Sequence, residues 1–141
     1  MYVTLATIAH FVWEIGHIRL YTIWDTGRFG EIAFAIIHCT LGDALIAATT
    51  MSFAMLAFRR DPTSAFLKIV SVATALGMAF TILSEWLNVE VRRTWAYMEA
   101  MPRLPFLGTG LTPVVQWLLI TPLAAAAARR ARRARARCGD A

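Results

Sequence analysis

Long runs of apolar residues that carry little charge limit most strongly how this chain can fold. Four such stretches cover residues 1–24, 31–58, 65–87 and 111–128. Each is near or above the ~20 residues that a helix needs to cross the ~30 Å hydrocarbon layer of a bilayer. The hydrophobic share of 58% also exceeds the roughly 45–50% that is typical of soluble domains. We therefore predict an all-α integral membrane protein, in which residues 1–128 form a bundle of four transmembrane helices.

The basic residues are distributed unevenly along the chain. Six of the fourteen lie in the last thirteen residues, in an Ala/Arg stretch that we expect to extend the fourth helix. With both termini in the cytoplasm, nine basic residues lie on the cytoplasmic side and five on the other, as the positive-inside rule favours. We predict a multi-pass protein of the bacterial inner (cell) membrane, with a basic cytoplasmic tail at residues 129–141. This tail is suited to contact the lipid bilayer, and no nucleic-acid partner is expected.

The connections between the apolar stretches have distinct compositions. Residues 25–28 and 59–64 are typical of turns, and Pro62 suits the first turn of the helix that follows. Residues 88–110 are longer and mixed, with aromatic residues, prolines and glycines. Because aromatic residues favour the headgroup zone, we predict that this segment is interfacial and partly helical.

Several polar side chains fall inside the apolar stretches, where burial in lipid is costly and usually serves a purpose. In the first stretch, His10, Glu14 and His17 follow i, i+4, i+7 spacing, which places them on one helical face. The remaining stretches contribute His38, Asp43, Glu85 and Gln116. This pattern predicts one polar cavity that opens toward the outer leaflet.

The depths of these groups support a shared cavity. Depth follows from the helical rise of ~1.5 Å per residue, counted from the outer end of each stretch. The matching pairs are His10 with Asp43 at roughly 18–21 Å, Glu14 with His38 at roughly 10–15 Å, and His17 with Gln116 at roughly 9 Å.

His38 and Asp43 cannot both face one narrow site on a straight helix, because five residues turn it by about 140°. Gly42 permits a local irregularity that would bring them together; otherwise Asp43 faces the third helix.

A purely structural interpretation also stays open. A pair such as Glu14 with His38 would then satisfy its own hydrogen bonds and lock the bundle.

The order of these features resembles the EXPERA superfamily, which includes the emopamil-binding sterol isomerases. The run His10-Phe-Val-Trp-Glu14, with Tyr21 further on, looks like that family's first His-x-x-x-Glu helix and its following tyrosine. Further similar features are Phe58-Arg-Arg-Asp-Pro62, Ile69-Val-Ser-Val72, Gly77, Ser84-Glu85, and Trp117 with Pro122. The sequence is also similar to small bacterial membrane proteins that share the His38-Cys-Thr and Gly42-Asp43 pattern.

The resemblance implies a site that binds a sterol and moves protons across a double bond. Carboxylates and a histidine do this in the isomerases, and a tryptophan faces the carbocation. His10, Glu14 and Trp117 take these roles by position. Two features depart from the family. The place of its second-helix acidic residue falls near His38 and Cys39, and Val114 or Pro113 replaces its asparagine.

Three functions fit the sequence. The first is a protein that binds or isomerises a sterol-like or isoprenoid lipid, with Glu14 exchanging the proton and His10 orienting it. In this hypothesis the ring of Trp117 or Trp13 stabilises a cation. The catalytic candidates are His10, Glu14 and His38, and the ligand-binding candidates are His17, Asp43, Glu85, Gln116, Trp13 and Trp117.

The second function is a metal- or haem-binding membrane subunit, because histidines and carboxylates are common ligands. No spacing in the sequence identifies a metal-ligand set, so the cofactor stays unknown. The third is a small proton-coupled carrier, in which the buried acidic and histidine groups relay protons. Four helices are few for a carrier, so this function favours a homo-oligomer.

Overall fold

The computed structural model describes residues 1–60 and 65–139, and these residues are mainly helical. A 3-10 turn (Ile18–Leu20) follows the first helix, and a π-helical turn (Leu87–Val91) follows the fourth. The predicted position of Pro62 at the start of a helix lies outside the described residues. The helices are α1 (Tyr2–His17), α2 (Ile23–Thr26), α3 (Phe29–Ala57), α4 (Phe66–Trp86) and α5 (Leu111–Gly139).

Three helices in the described part of the chain are long and apolar enough to cross a membrane: Phe29–Ala57, Phe66–Val91 and Leu111–Cys138. They coincide with the second, third and fourth apolar stretches. Since the named elements of the described residues are all helical, the all-α prediction is confirmed for this part of the chain. The fourth of these stretches continues as one helix through the Ala/Arg tail, as predicted.

The first apolar stretch differs from its prediction, because α1 has only 16 residues and ends at His17. After the 3-10 turn, Tyr21 adopts an extended backbone and forms an isolated antiparallel bridge with Tyr97. This pairing joins two segments that are far apart in the sequence, so apolarity alone did not indicate where the helix stops.

The four longest helices pack in a closed cycle. α1 contacts α3 and α5, and α4 contacts α3 and α5 on the opposite side. Alanine is frequent at these contacts, where small side chains let helix backbones approach closely. The buried alanines of the two main apolar clusters are Ala6, Ala47, Ala54, Ala65, Ala73, Ala124 and Ala125.

One end of this bundle is closed by residues 18–27 and 92–110, which we call the cap. Thr22 donates its backbone N–H to the carbonyl of Ala96 over 2.9 Å, and Met98 donates to the carbonyl of Leu20 over 2.9 Å. The predicted partly helical segment is helical only up to Val91. The rest of this segment follows an irregular path that brings Tyr97 back toward the helices.

Candidate functional site

In the middle of the bundle, the side-chain nitrogen of Gln116 contacts three other polar side chains, those of Asp43, Glu14 and His10. Its Nε2 donates to Asp43 Oδ2 over 2.9 Å and to Glu14 Oε1 over 3.2 Å. The same nitrogen lies 2.7 Å from Nδ1 of His10, which is itself 3.2 Å from Asp43 Oδ2. Gln116, His10 and Glu14 are buried. We call these four residues the inner cluster.

Three helices supply the inner cluster. The i, i+4, i+7 spacing on α1 buries His10, Glu14 and His17 on one face, as predicted. α3 contributes Asp43, and α5 contributes Gln116. The predicted level of His10 with Asp43 agrees with their contact, and Asp43 faces α1 and α5 rather than the third helix of the bundle.

The other two depth pairs do not form as direct contacts. Glu14 contacts Gln116 and lies 3.8 Å from His17, whereas His38 is exposed and its ring stacks on Phe34. The depths on α1 were counted from residue 24, whereas the helix ends seven residues earlier, at His17. Depth along a helix also carries no information on its rotation, and the exposed position of His38 is a matter of rotation.

The two predicted tryptophans lie behind the inner cluster. The ring of Trp117 is fully buried, with its centroid 5.0 Å from that of His10, and it packs on Gly77. Trp13 is half-buried among partly buried apolar residues. Neither ring lines the cavity described below, so neither directly faces a molecule that occupies it.

A second set of polar residues, Glu85, Tyr21 and Tyr97, lies under the cap, and we call it the outer cluster. Glu85 accepts hydrogen bonds from the hydroxyls of Tyr21, over 3.0 Å, and Tyr97. The Tyr97 oxygen in turn accepts the backbone N–H of Gly110 over 2.9 Å. Burial and the neighbouring Glu85 raise the pKa of Tyr97 above its usual value, so its phenol keeps the proton that it donates. The outer cluster therefore fixes the cap on α4.

A cavity of about 390 Å³ extends from the inner cluster to the outer cluster. This volume is within the range of ~300–1,000 Å³ that is typical of small-molecule sites. Apolar side chains such as Ile46, Phe80 and Trp95 form part of its wall. In the part of the chain that the structure describes, no lysine or arginine lines it. Its titratable or amide-bearing lining residues are Glu14, His17, Tyr21, His38, Cys39, Asp43, Glu85 and Gln116.

The placement of carboxyl groups determines what this cavity can do chemically. Glu14 and Asp43 both line it and share one amide donor, Gln116. Two neighbouring carboxyl groups can act as a proton donor and a proton acceptor toward the same bound molecule. His10 does not line the cavity, but it contacts Asp43 and Gln116 and is suited to orient them.

Three residues that line or close the cavity were not selected from the sequence. Tyr97 and Trp95 belong to an irregular segment, where no helical periodicity indicates which side chains face inward. Cys39 stood out in the sequence only through the family resemblance, since it and His38 lie near the place of the second-helix acidic residue.

Among residues 1–60 and 65–139, no group of three or more His, Cys, Asp or Glu side chains is placed to hold a metal ion. No family model, curated protein or solved structure matches the chain.

Proposed function

We propose that this chain is a four-span membrane protein that binds a sterol-like or isoprenoid lipid in its cavity and shifts a double bond of that lipid by proton transfer. One observation carries the proposal: Glu14 and Asp43 converge on the Gln116 amide in the wall of a largely apolar cavity. An apolar cavity with few converging polar groups is the usual form of a site for a lipophilic ligand.

The proposal includes α1 as the fourth span. Its outward side chains are apolar and exposed, among them Ile8, Phe11 and Val12, whereas its inward face carries the polar groups. Such a helix suits lipid on one side and a polar interior on the other. Sixteen residues span about 24 Å, and the 3-10 turn adds to that length.

The proposed orientation places both termini in the cytoplasm and the cap on the outer side. The nine-to-five distribution of basic residues supports it. The basic end of α5 then lies near anionic lipid headgroups of the bacterial cell membrane. In this orientation the cavity lies between the bilayer centre and the outer surface.

The reaction that we propose needs no redox partner. One carboxyl group of the Glu14–Asp43 pair gives its proton to a carbon of the double bond, which leaves a cation on the neighbouring carbon. The other carboxylate removes a proton from the next carbon, and the double bond forms one position along. The EXPERA-like order of sequence features supports this reaction. The place of the family's second-helix acid falls near His38 and Cys39, and Asp43 supplies the acid instead in this proposal.

Glu14→Gln tests the reaction, because glutamine keeps the shape and hydrogen-bonding capacity but cannot exchange the proton. We expect the reconstituted variant to bind a sterol with a ring double bond and to isomerise it about 100-fold or more slowly than the wild type. The measurement is mass spectrometry of the sterol after incubation in D2O, since each turnover introduces solvent deuterium.

Glu99→Gln is the matched control, because Glu99 is exposed in the cap and does not line the cavity. It should retain full deuterium incorporation. A Glu14→Gln protein that incorporates deuterium at the wild-type rate would contradict the proposed chemistry. Absence of turnover in the wild type, together with proton flux across the liposome membrane, would favour a proton-coupled carrier instead.

A further inference from the structure

His17 is a buried imidazole that the proposed chemistry does not use. It is about nine-tenths buried and lines the cavity between the inner and outer clusters. Neither of its ring nitrogens has a hydrogen-bond partner among the described residues. Since buried polar groups are normally paired, an unpaired imidazole that faces a cavity points to a role with a mobile species such as water or a proton.

The neighbours of His17 connect the two clusters. Its Nδ1 lies 3.8 Å from Glu14 Oε1 of the inner cluster. On another side, its ring meets that of Tyr21 edge-on, with centroids 5.2 Å apart. The Tyr21 hydroxyl donates to Glu85 of the outer cluster over 3.0 Å. Polar groups thus follow one another from Glu14 to the cap.

Among the described residues, the opposite direction offers no comparable route. Two apolar clusters pack between the inner cluster and the ends that carry the termini. The buried carboxyl and imidazole groups of the described residues are those of His10, Glu14, His17 and Glu85, and none of these lies on that side of the inner cluster. A proton that reaches Glu14 from water therefore has its polar path on the side of the cap.

We propose that His17 is a proton shuttle that links Glu14 to water at the cap, along the side of the cavity that Tyr21 and Glu85 form. Both ring nitrogens are buried, so a small rotation of the ring first brings Nε2 to the cavity. There Nε2 accepts a proton from a hydronium ion, which leaves a water molecule, and the N–H bond at Nδ1 breaks as its proton passes to the Glu14 carboxylate. Loss of the Nε2 proton to water and uptake of a proton at Nδ1 then restore the first tautomer. The 3.8 Å separation exceeds a hydrogen bond, so one bridging water or a small side-chain shift completes the transfer.

This inference rests on the proposed function for its purpose, because an isomerase that protonates and deprotonates a lipid must exchange protons with solvent. Its test, however, needs no lipid substrate. The external pH is jumped in a stopped-flow infrared cell, and the carboxyl and carboxylate bands of Glu14 are followed. These bands are assigned by their loss in Glu14→Gln.

We expect His17→Ala to slow the response of Glu14 about tenfold or more, because a positioned proton donor is lost. Added imidazole should restore the rate by occupying the space that alanine leaves. A merely structural role for His17 would not give this rescue. Phe11→Ala is the matched control, since it also removes a ring from α1 but on the outward face, and it should respond as the wild type does.

A wild-type rate in His17→Ala, or a slow rate that imidazole does not restore, would overturn the proposal. So would Glu14 bands that do not respond to the pH jump in the wild type. If the alanine variant does not fold, His17→Gln replaces it: a slow response supports the shuttle and a wild-type response overturns it. Failure of sterol turnover leaves this readout intact, so the two proposals fail separately.

Discussion

Gly77 sets the position of the largest buried side chain in the bundle. A Cβ atom at this position would lie far inside the normal contact distance from Cε3 of Trp117. Trp117 in turn packs on His10, so the absence of a side chain at residue 77 lets the ring support the inner cluster from behind. One glycine on α4 thereby determines the geometry of polar groups on α1 and α5.

Gly77→Ala should destabilise the protein by about 1–3 kcal/mol, because an extra methyl group in a well-packed core forces side chains or backbone to move. The measurement is the midpoint of thermal unfolding in one detergent. Gly30→Ala is the control: nothing lies within 4 Å of its added Cβ, so its midpoint should not fall. Equal midpoints for Gly77→Ala and the wild type would contradict the described contact.

The residues of the inner cluster also show how much of the site can be predicted from the sequence. Polar residues inside apolar stretches are costly to bury, and this criterion selected His10, Glu14, Asp43 and Gln116. The structure brings all four together. The same criterion selected His38, which lines the cavity but is exposed and stacks on Phe34 instead of pairing with Glu14. Polarity indicates that a group needs a partner, but the rotation of each helix decides which partner it meets.

At the scale of elements, α1 differs most from the other long helices. It is the shortest of the four in the closed cycle, and it carries the most polar inner face. Its end at His17 depends on the pairing of Tyr21 with Tyr97, a contact across the fold that sequence periodicity does not contain. The ends of the longer apolar helices do not depend on such a contact, and the sequence predicted these ends within a few residues.

A reporter fused after Thr26, the last residue of α2, tests whether α1 crosses the membrane. The proposed topology predicts an external signal at this position and a cytoplasmic signal from a reporter fused after Arg137 in the tail. The second fusion serves as the internal control for insertion. A cytoplasmic signal from both fusions would contradict α1 as a span.

At the scale of the whole molecule, the closed cycle of four helices produces two different interiors. The half near the termini is filled by alanines and larger apolar side chains, whereas the half under the cap encloses the cavity. Hydropathy predicted the helices and the presence of polar groups. It could not predict the cap, because residues 92–110 are ordered by contacts with Tyr21, Glu85 and the carbonyls of distant residues.

Gly42 allows the most direct test that the cavity holds a lipid. It lines the cavity, and a Cβ atom added there meets nothing within 4 Å, so a larger side chain can occupy the space without a clash. Gly30 lies on the same helix and is equally open, but it does not line the cavity. Leucine at either position also favours the helix over glycine.

The measurement is mass spectrometry of the lipids that remain bound after gentle purification of the wild type, Gly42→Leu and Gly30→Leu. We predict that a sterol-like or isoprenoid lipid copurifies with the wild type and with Gly30→Leu, and is strongly reduced in Gly42→Leu. Equal amounts of that lipid in all three proteins, or none in the wild type, would show that the cavity is not a binding site for such a lipid.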